Sequence, residues 1–323
     1  MDNPTRLDAR QVGADSLPVI SIAGLCAAAP AERQAVGDAL RAACTQTGFF
    51  YCVDHGVPQG LIDAVLAESR HFFALPTADK TRLDKSLSSC NRGYEPLRNQ
   101  TLEAGTPPDL KEGFYIGAEQ PESGGLRFNQ GPNQWPMAMP GFRPTMMAYS
   151  AALTVIAERL MQGLALSLGL AEDFFSTYCR DPQITLRLLH YPPQPANPQP
   201  GEKGCGAHTD FGGLTLLLQD GSGGLQVRGP DDGWIHATPI PGSFVVNLGD
   251  MIARWTNDRY RSTLHRVVNT SGGDRYSVPF FYTGNADYTV SCLPGCLAPG
   301  ETPRYPPVTV QDHLRAMYRR TYG

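Results

Sequence analysis

Between Ile184 and Phe281 the chain runs as a succession of short apolar and β-branched segments: Ile184–Tyr191, Leu214–Leu218, Leu225–Val227, Trp234–Ala237, Ser243–Leu248, Thr263–Val268 and Arg275–Phe281. Clusters of Gly and Asp separate them, as at Asp220-Gly221-Ser222-Gly223-Gly224 and Asp231-Asp232-Gly233. Short strands at regular intervals, with turn signals between them, indicate a sandwich or a barrel. Helical spacing surrounds this region. Val36, Leu40 and Ala43 recur between Ala31 and Thr47, and Gly48 ends that run in the manner of a C-terminal cap. A second helix follows Pro58, with Leu61, Val65 and Phe72 on one stripe. The longest runs from Pro144 to Gly169, with Leu153, Ile156, Ala157, Leu160, Leu164 and Leu168 facing inward. Leu17–Ile22 reads as an entry strand, Phe49–Val53 as a buried strand and Thr309–Tyr322 as a closing helix. Thr77 to Gly141 reads as loops and short strands draped over the core, and Pro192 to Gly206 as a rigid connector. No repeat or linker divides the 323 residues, so the expected fold is one mainly β domain with flanking helices (α+β).

Composition enters where it excludes functions. Lys and Arg number 27 against 31 Asp and Glu, a net charge of −4 with no basic cluster, which argues against a nucleic-acid partner. The start, Met1 to Asp8, is polar and acidic, unlike a signal peptide, and no apolar run is long enough to span a bilayer. The eight cysteines are scattered; Cys292 and Cys296 come near each other without a usual zinc spacing. Reduced thiols in a cytoplasmic protein are the expectation.

The chemistry gathers in Gly206 to Asp220. His208 and Asp210 stand two residues apart, which on a strand sends both side chains from one face. An imidazole and a carboxylate together are two of the three ligands of a facial triad for non-haem Fe(II), and His265 is the candidate third. Arg275 and Ser277 repeat the two-residue offset as a carboxylate-binding pair, a guanidinium fork beside a hydroxyl. Spacing alone supports a metal site with open positions. Zinc would also accept two His and an acid, but would not explain the clamp.

These residues resemble the iron triad and co-substrate clamp of the 2-oxoglutarate/Fe(II)-dependent oxygenases, in particular the isopenicillin N synthase-like branch. Gly48-Phe49-Phe50-Tyr51-Cys52-Val53-Asp54-His55-Gly56-Val57, Arg92-Gly93-Tyr94-Glu95-Pro96, Asp109-Leu110-Lys111-Glu112-Gly113-Phe114, Tyr191-Pro192-Pro193, Asn247-Leu248-Gly249-Asp250-Met251 and Trp255-Thr256-Asn257 extend the resemblance over most of the chain. It implies a double-stranded β-helix (jelly roll) core at 180–285 holding the iron site, an amino-terminal helical and loop region at 17–145 and a C-terminal helix at 309–322. It further implies Fe(II) on His208, Asp210 and His265, and 2-oxoglutarate on Arg275, Ser277 and Tyr191. O2 is the expected co-substrate, ascorbate a supporting reductant, and the product set succinate, CO2 and a hydroxylated, desaturated or cyclised small molecule. A monomer is expected. Leu189 departs from the pattern, because many plant relatives carry Asn there to help hold the 2-oxoacid. An aliphatic residue at that position is nearer the synthase, which oxidises a thiol peptide without 2-oxoglutarate. The near-terminal Gln of the synthase is nevertheless missing from Arg319-Arg320-Thr321-Tyr322-Gly323. The same residues also suit an enzyme that consumes 2-oxoglutarate to form ethylene or succinate, or a non-catalytic binding barrel.

The remaining polar residues read as structural. Asn247, Asp250 and Asn257 read as turn or capping groups, Trp255 as a core aromatic below the metal, and His55 and His71 as structural. His190 and His236 have no recognisable partner in the sequence. Phe281 suits either the pocket or the core, and Arg92, Tyr94, Lys111 and Phe114 are candidates for the substrate lid.

Overall fold

The computed structural model describes residues 17–120 and 128–322. The first half holds strand β1 (Val19–Ser21), helix α1 (Pro30–Gln46), β2 (Phe49–Val53), α2 (Gln59–Phe73), α3 (Thr77–Thr81), β3 (Gly93–Glu95), β4 (Glu112–Gly117) and the long helix α4 (Phe142–Ser167). The second half holds β5 (Pro182–Tyr191), β6 (Cys205–His208), β7 (Leu214–Gln219), β8 (Leu225–Arg228), β9 (Trp234–His236), β10 (Phe244–Leu248), α5 (Asp250–Trp255), β11 (His265–Val267) and β12 (Arg275–Asn285). The pair β13 (Thr289–Val290) and β14 (Val308–Thr309) and helix α6 (Val310–Tyr322) follow.

Two sheets result. Eight strands line up as β1-β2-β10-β7-β12-β5-β4-β3, and four as β6-β11-β8-β9. Side-chain alternation along the large sheet sorts its residues onto two faces. One face carries Phe50, Val246, Leu216, Phe280, Leu188 and Phe114, packed in the main core with apolar residues of α1, α2 and α4. The other carries Phe49, Tyr51, Val245, Leu189 and Tyr191, which pack with Cys205, Leu225, Val227 and Val267 of the small sheet. This second, smaller core is the interior of the jelly roll, and register decides what else enters it. Arg275 lies opposite Tyr191, and Ser277 opposite both Leu189 and Gln219.

Local chemistry sets the boundaries. Gly48 follows α1 with φ +68°, and a Cβ there would lie 2.1 Å from the Arg261 carbonyl oxygen. Only glycine fits that turn, and β2 starts at the next residue. On α2 it is Ile62, not Leu61, that is buried beside Val65 and Phe72. The region read as loops and short strands draped over the core contains β4, whose six residues are all buried between β3 and β5. Its apolar residues fall on both faces, because both faces are covered.

Candidate active site

Strand β6 ends at His208, so Asp210 lies just beyond the strand rather than on it, a correction to the continuous strand expected from the sequence. The side chains still converge. His265 on β11 lies directly opposite His208, with ring centroids 4.3 Å apart. One ligand atom from each of His208, Asp210 and His265 lies within 4.8 Å of the other two.

Hydrogen bonds aim each group inward. Nδ1 of His208 meets the Gly206 carbonyl at 2.8 Å, and Nδ1 of His265 meets that of Thr263 at 3.1 Å. A carbonyl partner requires the proton on Nδ1, which leaves each Nε2 with a free lone pair. Both Nε2 atoms stand 3.7 Å from Oδ1 of Asp210. The second carboxylate oxygen, Oδ2, accepts from Thr215 at 2.6 Å and from Asn247 at 2.8 Å. Burial lowers the His265 pKa to about 4, with His208 beside it adding to the effect. Burial also lowers that of His208. Burial alone would raise the Asp210 pKa, but the positive charge the two imidazoles carry when protonated, and the hydrogen bonds from Asn247 and Thr215, hold it below its usual range. Two neutral imidazoles and a carboxylate, all pre-aimed, suit a divalent cation that keeps open positions.

Strand β6 is an edge strand, and the amino-terminal half covers part of that edge. The Gly206 N–H donates to Asp109 and the Ala207 N–H to Glu103, each at 2.8 Å. Asp109 is paired in turn with Lys111, and Glu103 with Lys203 at 2.7 Å. Phe49 sets its ring edge-on to His265 at 5.3 Å. Asn247, read as a turn residue, is instead a strand residue that fixes the Asp210 carboxylate. Thr215 and Glu103 carried no local signal in the sequence, and Asp109 stood out only within the 109–114 resemblance, since their partners are defined only by the fold.

Deeper in the interior Arg275 is 1% exposed. Its Nε donates to the Gly223 carbonyl and one Nη to Gln219 at 3.1 Å, while Nη1 has no partner among the described residues. The guanidinium carbon sits 4.7 Å from the centre of the Tyr191 ring. Ser277 and Tyr191 are buried beside it. Leu189 lies opposite Ser277 on the same face. A buried guanidinium with an unused donor, a hydroxyl and a phenol suit a carboxylate.

A cavity of about 940 Å³, solvent-open mouth included, is lined by His208 and Asp210 together with Arg92, Gln183, Arg187, Phe211, Phe281 and, from α6, Tyr318. Of the residues named for a lid, only Arg92 reaches it. Tyr94 and Phe114 belong to the main core, and Lys111 pairs with Asp109 inside the barrel. His190 does have partners, a correction: it faces away from the interior, bonded to Glu112 at 2.8 Å and Asp274 at 2.9 Å. Trp255 is a core residue among Phe175, Tyr178 and Tyr288.

Comparison with known proteins decides the family. Residues 17–138 match the family described as the N-terminal region of a non-haem dioxygenase in morphine synthesis, and residues 182–284 match the 2OG-Fe(II) oxygenase superfamily. A 2-oxoglutarate-Fe(II) type oxidoreductase of Emericella nidulans, hxnY, is 47% identical over 293 residues, covering 88% of this chain and 84% of its own. The chain belongs to the 2OG-Fe(II) oxygenase superfamily. Another similar protein is the 2-oxoglutarate-dependent dioxygenase citB of Monascus ruber, 41% identical over 275 residues, covering 81% of this chain and 82% of its own. The crystal structure of a full-length Neurospora crassa protein in complex with alpha-KG superposes with a TM-score of 0.83 at 29% identity, covering 96% of this chain and 98% of that one. A 2OG-Fe(II) oxygenase family protein of Caulobacter crescentus gives 0.84 at 32% identity, covering 94% and 99%. The oxygenase is thus an Fe(II)- and 2-oxoglutarate-dependent dioxygenase with a jelly-roll core, taking O2 as co-substrate. No helix among its described residues is long and apolar enough to cross a membrane.

Proposed function

We propose that His208, Asp210 and His265 hold the Fe(II), that Arg275, Ser277 and Tyr191 bind the distal carboxylate of 2-oxoglutarate, and that the cavity beside Phe211 and Phe281 receives a small organic substrate. The observation that carries this reading is the pairing of pre-aimed metal ligands with the unused Nη1 donor of a buried arginine on the same barrel interior. Fe(II) bound there supplies chelation of the 2-oxoacid and redox chemistry with O2, coupling substrate oxidation to release of succinate and CO2. The protein's own part is positional. Thr215 and Asn247 hold Asp210, backbone carbonyls fix the imidazole tautomers, and Arg275 sets the far end of the co-substrate. Leu189 supplies apolar packing where plant relatives offer an amide, and Tyr191 with Ser277 carries the polar contacts. Solved neighbours fit a small-molecule substrate: the Neurospora crassa protein was crystallised with thymine and with 5-formyluracil, and JOX2 with JA. We read the chain as a single-domain monomer. Eight free cysteines suit a reducing cytoplasm.

The test is anaerobic titration of the Fe(II)-loaded protein with 2-oxoglutarate, followed in the visible region. A weak charge-transfer band that Arg275→Ala diminishes is the expected result. Iron binding with no such band would overturn the clamp assignment.

A further inference from the structure

Two buried polar atoms of residues that line the cavity lack a partner among the described residues: Nε of Arg92, a donor, and Oε1 of Gln183, an acceptor. Both residues line the cavity, and they are 3% and 7% exposed. Both are braced on consecutive peptide carbonyls. Arg92 donates from Nη2 to Asn129 at 2.6 Å, and Gln183 from Nε2 to Phe128 at 2.7 Å. A further bond from Arg92 Nη1 to the Cys90 carbonyl, 2.9 Å, fixes the guanidinium. The guanidinium lies against β4 where Gly117 leaves room, since a Cβ there would come within 1.9 Å of Arg92 Nη2. Because the Gln183 amide nitrogen is committed to Phe128, its oxygen is fixed as an acceptor and cannot flip into a donor. Buried polar atoms left unpaired in a native protein call for a partner, and both residues line the same cavity.

We propose that Arg92 and Gln183 form a specificity subsite for a cis amide edge, a carbonyl oxygen on Arg92 and an adjacent N–H on Gln183, and that the substrate is a flat ring lactam. This rests on the oxygenase reading above and names the substrate class of that site. A carboxylate offers no donor and would set an anionic oxygen against the Gln183 oxygen. Flatness follows from the aromatic rings of Phe211 and Phe281 on the cavity wall. A primary carboxamide presents the same edge without the ring nitrogen, so the two sources are separated by experiment.

The test is anaerobic calorimetry on the Fe(II)- and 2-oxoglutarate-loaded enzyme with four probes: 2-pyridone, N-methyl-2-pyridone, benzamide and benzoate. Expected is 2-pyridone binding at least about ten-fold tighter than its N-methyl analogue and than benzoate, the loss of one well-placed hydrogen bond in a buried site. Benzamide should fall between. In Gln183→Leu, and in Gln183→Met as a second variant, the preference over the N-methyl analogue should shrink to within about two-fold. Benzoate binding tightest, benzamide outbinding 2-pyridone, the N-methyl analogue binding equally well to the native enzyme, or no lactam binding by about 10 mM would each overturn the proposal. Affinity for 2-oxoglutarate, measured on the same samples, reports separately. Its absence in the native enzyme counts against the oxygenase site, whereas lactam indifference with intact co-substrate binding counts against this subsite alone.

Discussion

The two oxygens of Asp210 have separate tasks. Oδ2 is held by Thr215 and Asn247, and Oδ1 is left facing both imidazoles. Removing one outer hydrogen bond should therefore loosen the metal without touching a ligand. Asn247→Leu is expected to weaken Fe(II) binding about 10- to 100-fold while the thermal unfolding curve stays cooperative. Anaerobic metal titration checks this, and unchanged affinity would sink the positioning role. Arg275 offers a second case at this scale. Its Nε and one Nη are spent on Gly223 and Gln219, so the direction of Nη1 is set by the planar fork. Lysine cannot reproduce that geometry. Arg275→Lys should weaken 2-oxoglutarate binding by roughly 1.5–3 kcal/mol, a charge-assisted bond lost, with Fe(II) affinity retained.

Strand β6 carries His208 at its end and has β11 on one side only, so its exposed edge relies on Asp109 and Glu103. Asp109→Asn keeps an acceptor for the Gly206 N–H but leaves Lys111, 2% exposed, without its counter-charge. An uncompensated buried ammonium costs about 3–5 kcal/mol. The double variant Asp109→Asn/Lys111→Met should recover most of that in urea unfolding; a double variant no more stable than the single one would refute the pairing. A second network ties α3, β3, β4 and β5 on the other face, where Lys80, Tyr94 and His190 meet Glu112. Burial would lower the His190 pKa, but the Glu112 and Asp274 carboxylates outweigh it and raise it above 6.5. The folded value exceeds the unfolded one, so this stabilisation is complete below about pH 6.5 and fades as pH rises through the folded value. The melting-temperature gap between native protein and His190→Gln should accordingly be widest near pH 6 and narrow by about pH 9. A gap that widens with pH would reverse the assignment. None of this was visible locally. His190 and Glu112 are 78 residues apart, and only the pairing of β4 with β5 sets them side by side. The strands with clear alternation and flanking Gly or Asp were legible, as were the helices with a regular apolar stripe. β3 and β4 were legible only as short strands without positions, because segments of three and six residues gain their order from the strand each pairs with, β3 from β4 and β4 from β5, rather than from propensity.

At the scale of the molecule, the jelly-roll interior is a shared space that neither half of the chain builds alone. His208, Asp210, His265, Arg275 and Tyr191 come from the second half, while Phe49, Asp109 and Glu103 reach in from the first. The two-residue spacings were readable because alternation is a property of a single strand. The closure of the site by the first half was not, since it depends on which loop meets which edge. Ligands that bind only the closed arrangement should stabilise the whole chain, not one segment. At 100-fold excess over its dissociation constant a ligand contributes about 2.7 kcal/mol, a rise of a few degrees in melting temperature for a chain of this size. Anaerobic Fe(II) and then 2-oxoglutarate should give two successive increments in the native protein. Arg275→Ala should keep the first and lose most of the second, and a chelator should remove both. Hydrogen exchange locates the coupling, because 99–111 should gain protection with the metal although it contributes no ligand. Protection confined to β6 and β11 would show that the first half merely rests on the site. Protection spreading to 99–111 would make the edge contacts of Asp109 and Glu103 part of how the metal site holds its shape.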